Sequence, residues 1–226
     1  MTTALPPFRA ALPALLALIA FAAPRLAAQP VAVAGPVQFG ECLAGVATFT
    51  LNATASTGSG PLTYTWTGPF GTVEGPVVEV EAPLGANEVT LTVEDAGALT
   101  AEDTTSLVVV DTQPPNVGVA MNPSLIAPPD GAVRPVKATV IVQDACGQGT
   151  TTTLASITSN EPDTTIVVGA GFGTFDTEFG LGSILTIDRK RRVYSVTYES
   201  RDPSNNIGSG SGEVVVDDQG LLDVSP

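Results

Sequence analysis

The chain has 226 residues and a formal net charge of −14, from 23 acidic and 9 basic side chains. That balance excludes a nucleic-acid binder, which selects a basic surface, and suits an exported, self-repelling protein or one that meets divalent cations. Histidine is absent, which removes Ser-His-Asp and Cys-His catalysis and every His-ligated zinc or iron site.

The length admits one large or two small domains, and strand-like runs at roughly ten-residue spacing favour two sandwiches. Residues 1–28 stand apart: Arg9 ends a short polar start, Ala10 to Ala23 is apolar, and Leu26-Ala27-Ala28 offers small residues for cleavage. This reads as a secretory signal peptide and not a membrane anchor, because the run falls short of the ~20 residues of a span and Pro13 interrupts it. No second apolar run of spanning length follows, so the mature chain is expected to have no membrane span and to be secreted or held at the cell surface.

From there the chain reads as strands. Val31 to Val37 is a short edge-like strand broken at Gly35-Pro36, and Val46 to Leu51 alternates cleanly. Pro61-Leu62-Thr63-Tyr64-Thr65-Trp66 puts Leu62, Tyr64 and Trp66 on one face. Trp66 is the only tryptophan, and on an inward strand face it supplies the largest single apolar area of a sandwich core. Gly68 to Gly71 is a turn, Pro76 to Val80 a strand and Leu84-Gly85-Ala86-Asn87 a tight corner. Glu88 to Val93 places Val89, Leu91 and Val93 inward, and Ser106 to Val110 closes this half. Asp111-Thr112-Gln113-Pro114-Pro115 resists helix and ladder alike and marks the domain boundary.

The second half repeats the plan. Val117 to Met121 and Pro135 to Val142 are strands, the latter with Val136, Ala138, Val140 and Val142 on one face. In the next, Leu154, Ser156 and Thr158 oppose Ala155 and Ile157, and Asn160-Glu161-Pro162-Asp163 ends it. Gly169 to Gly182 is glycine-rich and weakly patterned, Ile184 to Ile187 recovers a strand, and Arg189-Lys190-Arg191-Arg192 is a solvated basic turn. Val193 to Tyr198 buries Tyr194, Val196 and Tyr198. Asp202 to Asn206 then turns the chain into Gly212 to Val216, and residues 219–226 form a tail.

Residues 29–113 resemble a PKD-type Ig-like domain of bacterial secreted proteins, through Pro61 to Trp66, Glu88 to Asp95 and the exit Val110 to Pro115. Residues 114–218 look like a second bacterial Ig-like module, through Ser156 to Asp163 and Arg192 to Tyr198. The resemblance implies an all-β chain of two tandem Ig-like antiparallel β-sandwiches. It says little of function, because such modules serve as spacers, adhesion units and enzyme appendages. PKD domains commonly carry an acidic loop before the Tyr-x-Trp strand; here that loop is Ala55-Ser56-Thr57-Gly58-Ser59-Gly60, without a carboxylate.

Candidate chemistry is sparse. Ser195 has no base to activate it, and Glu79 and Glu81 share a solvated strand face with nothing apolar to raise either pKa. No catalytic residue is therefore expected. In a seven-strand sandwich, the loops after the second and sixth strands lie at the pole where the chain enters. For the second half those loops hold Asp144, and Asp202 with Asn205, while the linker adds Asp111. Hard oxygen ligands converging there suit Ca²⁺; the alternative is that these are turn-forming residues bonded to their own backbone. Cys42 and Cys146 fall at the same junction and have one internal pairing, so either a bridge ties the domains or two buried thiols remain. The expected role is a non-enzymatic extracellular spacer or adhesion unit whose partner is an extracellular protein or glycan. The alternative is a carbohydrate-binding accessory to a separate hydrolase, for which Phe172, Phe175 and Phe179 are the available loop aromatics.

Overall fold

The computed structural model describes residues 1–2, 28–147, 149–161, 165–186 and 191–218. Outside the described residues lie 3–27 of the expected signal peptide, Pro162-Asp163, Ile187, Arg189-Lys190 and the tail 219–226. The described chain is all-β, and its strands build two Ig-like sandwiches in sequence.

In the first, strands β1 (Gln38–Glu41), β3 (Thr63–Gly68), β4 (Gly71–Glu74), β6 (Gly85–Glu94) and β7 (Thr100–Val110) form a sheet in the order β1-β7-β6-β3-β4. It faces the pair β2 (Val46–Asn52) and β5 (Val77–Pro83). Only β1 runs parallel to its neighbour, β7. The period-2 pattern is realised as expected: Val89, Leu91 and Val93 of β6 and Trp66 of β3 are wholly buried, against Leu51, Phe49, Val80 and Ala82 of the facing pair. The Trp66 indole N–H donates to the Gly75 carbonyl at 3.1 Å, so its one polar atom is satisfied. Tyr64, expected in the core, is only half-buried at its margin.

The edge strand expected over 31–37 is not there. Val31 makes one bridge to Thr57, and the strand beside β7 starts only at Gln38, past Pro36, which has no N–H for a ladder. The turn after β3 is shorter than expected, so β4 adds an unforeseen edge strand, and β6 begins at Gly85 inside the expected corner. Gly85 supports this with φ of +106°, a conformation that L side chains rarely adopt.

In the second sandwich, β8 (Asn116–Asn122), β10 (Val133–Gln143), β13 (Glu178–Gly182) and β12 (Val167–Val168) form one sheet in the order β12-β13-β10-β8. The other has the order β11-β14-β15-β9, from β11 (Thr151–Ser159), β14 (Arg191–Arg201), β15 (Ile207–Asp217) and β9 (Leu125–Ile126). Tyr194, Val196, Tyr198, Leu154, Leu181 and Val214 are fully buried between them. A register shift between Leu154 and Ser156 marks a bulge, so Leu154 and Ile157, expected on opposite faces, both pack on this core.

Glycines mislead the pattern here. The strand expected over 184–187 lies instead at β13, where Phe179 and Leu181 point in and Gly180 lets Val133 lie close against the outer face. On β15 the run Gly208-Ser209-Gly210-Ser211-Gly212 extends the strand well ahead of the expected start at Gly212. A Cβ on Gly210 would lie 2.0 Å from the Val117 carbonyl oxygen, so β8 presses backbone on backbone against β15. Gly210→Ala is expected to lower the stability of this sandwich by at least roughly 1–3 kcal/mol, the usual cost of overpacking, since the obstacle is main chain and cannot swing aside. A melting scan checks this against Ser209→Ala, which is exposed and should leave the transition unmoved.

Arg192, expected on a solvated turn, is instead inward on β14 and wholly buried. Its guanidinium donates to Glu161 Oε2 at 2.9 Å and to the Tyr194 hydroxyl at 3.0 Å, and that hydroxyl donates to the Gly182 carbonyl. The long side chain reaches inward because Glu161, at the end of β11, is buried to meet it.

Candidate metal centre at the junction of the sandwiches

The linker Asp111–Pro115 carries no ladder, and Pro114 and Pro115 have no N–H to give one. Asp111 directly follows β7, Asp144 directly follows β10 and Asp202 directly follows β14. Three strand ends thus deliver three carboxylates to one place: one ligand oxygen from each lies within 4.8 Å of the others. Asp111 and Asp202 are buried, at 7% and 3% exposure, and Asp144 is half-buried.

Each aspartate also organises its own turn. Asp144 Oδ1 accepts from the amides of Cys146 at 3.0 Å and Gly147 at 3.1 Å. Asp111 Oδ1 accepts from the Gln113 amide at 3.3 Å. Asp202 accepts from Asn206 twice, backbone N–H to Oδ1 and side-chain amide to Oδ2, each at 2.9 Å. The turn-forming alternative therefore accounts for one oxygen of Asp111 and of Asp144, but not for the second. Asp111 Oδ2 and Asp144 Oδ2 are buried with no hydrogen-bond partner. Among the described residues the ion pairs lie elsewhere, at Arg134–Asp130, Lys137–Glu178 and Arg192–Glu161. Burial pushes the Asp111 carboxyl above the ordinary carboxylate value; the Gln113 amide and, least of all, the nearby Ser204 hydroxyl oppose the rise, and the charges of Asp144 and Asp202 add to it.

Asn205 does not stand where it was expected. It is exposed, with φ of +72°, and turns the chain so that the next residue, Asn206, faces the group. The Asn206 side-chain amide bonds both Asp202 and the Asp111 carbonyl, at 3.0 Å for the latter. The pair Asn205-Asn206 was visible in the sequence; which of the two points inward depends on a left-handed backbone that Asn tolerates.

The cysteines are joined in a Cys42–Cys146 disulfide with a Cα–Cα distance of 5.1 Å. Cys146, from the second half, packs in the core of the first sandwich. Beside it the Ala44 amide donates to the Ala145 carbonyl at 2.8 Å. On the other side of the bridge the Cys42 amide donates to the Val110 carbonyl, one residue before Asp111.

No protein-family model and no curated protein matches the chain. Among solved structures, it is similar to the fibronectin(III)-like modules of Clostridium thermocellum CbhA, at 13% identity over 88% of this chain and 99% of that one, with a TM-score of 0.29. Drosophila N-cadherin EC1-4 is similar at 11% identity over 83% of this chain and 49% of that one, with a TM-score of 0.40. Protocadherin Gamma B7 extracellular cadherin domains 1-4 is similar at 13% identity over 84% and 49%, with a TM-score of 0.35. The chain spans about half the length of these two cadherin structures. These likenesses carry no argument about activity or ligands, and the architecture stands on the strand pairing above.

Ser195 lies on β14 opposite Glu213, while Glu79 and Glu81 are exposed on β5. Phe179 is buried in the second core, which leaves Phe172 and Phe175 exposed, the latter edge-on to Tyr198 at 6.5 Å. No helix among the described residues is long and apolar enough to cross a membrane.

Proposed function

We propose that this chain is an exported, non-enzymatic spacer or adhesion unit whose two sandwiches are held at a fixed elbow. The observation that carries the reading is the Cys42–Cys146 bridge, a second covalent tie between the halves beside the linker Asp111–Pro115. A linker alone permits hinge and twist about its rotatable bonds. A second tie removes most of that freedom and holds the two outer ends at a set separation, which is what a spacer requires. Disulfides persist in oxidising compartments, which fits the secreted or surface location that residues 1–28 suggest. Binding would then use loops and sheet edges, with an extracellular protein or glycan as partner. The carbohydrate-accessory alternative has less to stand on. Trp66 and Phe179 are buried, and the exposed Phe175 stands edge-on to Tyr198, their ring planes 64° apart and not coplanar.

Small-angle scattering on the Cys42→Ala/Cys146→Ala double variant tests this. The oxidised protein should scatter as one rigid shape, and the variant as an ensemble of elbow angles. Equal flexibility in both would sink the fixed-elbow reading. The same variant should melt lower, by up to ~4.7 kcal/mol in the chain-entropy model for a loop of roughly a hundred residues. A glycan array and a cell-aggregation assay then separate the glycan from the protein partner.

A further inference from the structure

We propose that Asp111, Asp144 and Asp202 bind one Ca²⁺ ion between the two sandwiches, and that the Cys42–Cys146 bond pre-forms this site. The inference goes beyond the spacer reading, which stands or falls on rigidity alone.

Geometry comes first. Calcium–oxygen distances of roughly 2.3–2.6 Å place opposite ligands of one ion about 5 Å apart. Three carboxylate oxygens within 4.8 Å of one another therefore fit a single coordination sphere. Proximity of acids alone would not suffice, since turn-forming aspartates cluster at sandwich poles without an ion. The second observation is the pair of oxygens, Oδ2 of Asp111 and Oδ2 of Asp144, both buried and with no donor in hydrogen-bonding geometry, the Ser204 hydroxyl near Asp111 acting on that carboxyl only weakly. Asp111 is only 7% exposed, so bulk water does not readily serve it. Buried polar atoms are nearly always partnered, and two unpartnered oxygens on two members of one acidic group point to a cation as their partner.

The donor set selects the metal class. All candidate ligands are oxygens, with no histidine in the chain and both cysteines in the disulfide, which disfavours zinc and copper. Mg²⁺ demands a near-ideal octahedron and keeps its waters, whereas ligands hung on three separate strand ends suit the looser Ca²⁺ sphere. Water or backbone carbonyls would complete that sphere.

The disulfide sits in the frame of the same site. Asp144 is held through Oδ1 by the amides of Cys146 and Gly147, so its free oxygen is aimed by the turn that Cys146 anchors. Asp111 follows Val110, whose carbonyl accepts the Cys42 amide. The bond thus fixes together the two backbone segments from which two of the ligands hang. Linkage is reciprocal: if the bond strengthens ion binding, the ion strengthens the bond against reduction by the same factor.

The test is calorimetric titration of the disulfide-intact chain, stripped of metal, with CaCl2. One ion per chain and a raised melting temperature are expected. Asp111→Asn and Asp144→Asn keep the oxygen that caps each turn but remove charge, and each should abolish or greatly weaken binding. The Cys42→Ser/Cys146→Ser protein should bind roughly tenfold more weakly, within the usual range of coupling between two sites. Trp66 fluorescence reports whether it folds. If it does not, the wild-type bond is reduced by dithiothreitol with and without Ca²⁺, and the ion should slow reduction. No heat and no melting shift in the intact protein would overturn the ion site, as would binding indifferent to both aspartate variants. Equal affinity without the bond, or reduction indifferent to Ca²⁺, would overturn the coupling. None of these outcomes bears on whether the elbow is rigid, which scattering reads separately.

Discussion

Trp66→Ala is expected to unfold the first sandwich while the second keeps its fold. The indole is wholly buried at the centre of β3, between Val73 of β4 and Leu91 of β6 in the ladder and against the β2–β5 pair. Truncating such a side chain costs about 3–5 kcal/mol, a large share of the roughly 5–15 kcal/mol that holds a whole domain. The change also strips the Gly75 carbonyl of its indole donor. The second half has a separate core around Tyr194, Val196 and Tyr198, so its protection should survive. Hydrogen exchange read by mass spectrometry is the measurement. Protection should vanish over residues 46–110 and persist over 133–216. Retained protection across β3 and β6 would mean the tryptophan is not what holds this core together.

Arg192→Ala is expected to destabilise the second sandwich by a similar amount, and by a different mechanism. Its guanidinium and the Glu161 carboxylate are both buried, at 0% and 3% side-chain exposure. Removing one partner of such a pair leaves a buried charge uncompensated and costs about 3–5 kcal/mol, whereas replacing both with apolar groups is often neutral. The double change Arg192→Met/Glu161→Leu should therefore recover most of what the single change loses. Burial pulls the Glu161 carboxyl upward, but its bonds to Arg192 and the Thr186 amide, with the Arg192 charge, outweigh that and hold it below the ordinary carboxylate value. A depressed carboxylate stabilises the fold above its unfolded pKa, and that contribution disappears as pH falls through the lower folded value. In Arg192→Ala the sign reverses: Glu161 then favours its neutral form, so the deficit should shrink on going from about pH 7 to about pH 4. Urea melts at the two pH values give the answer. A single-variant loss below about 1 kcal/mol would show that the pair lies in a wetter environment than its exposure indicates.

The side each strand turns inward was legible from the sequence wherever alternation is carried by side chains. Trp66, Leu91, Tyr194 and Tyr198 are buried where period-2 reasoning puts them, because a strand's alternation is a property of its own backbone. Legibility failed where glycine replaced the pattern, at Gly180 and along Gly208 to Gly212. In those places the inward or outward partner is another backbone or a neighbour's side chain, not the strand's own. It failed also at Arg192, since a run of basic residues says nothing of Glu161 waiting at the end of another strand. Tyr64 had the right parity but lies near a sheet margin, so it is only half-covered. Asp111, Asp144 and Asp202 could be named as junction residues from loop order alone, because sandwich topology sends those loops to one pole. That their oxygens converge, that two are orphaned, and that Asn206 and not Asn205 joins them was decided only by tertiary structure. Distances of a few ångströms between residues some thirty to ninety positions apart depend on how the strands close and how the two sandwiches meet, and no local pattern encodes that closure.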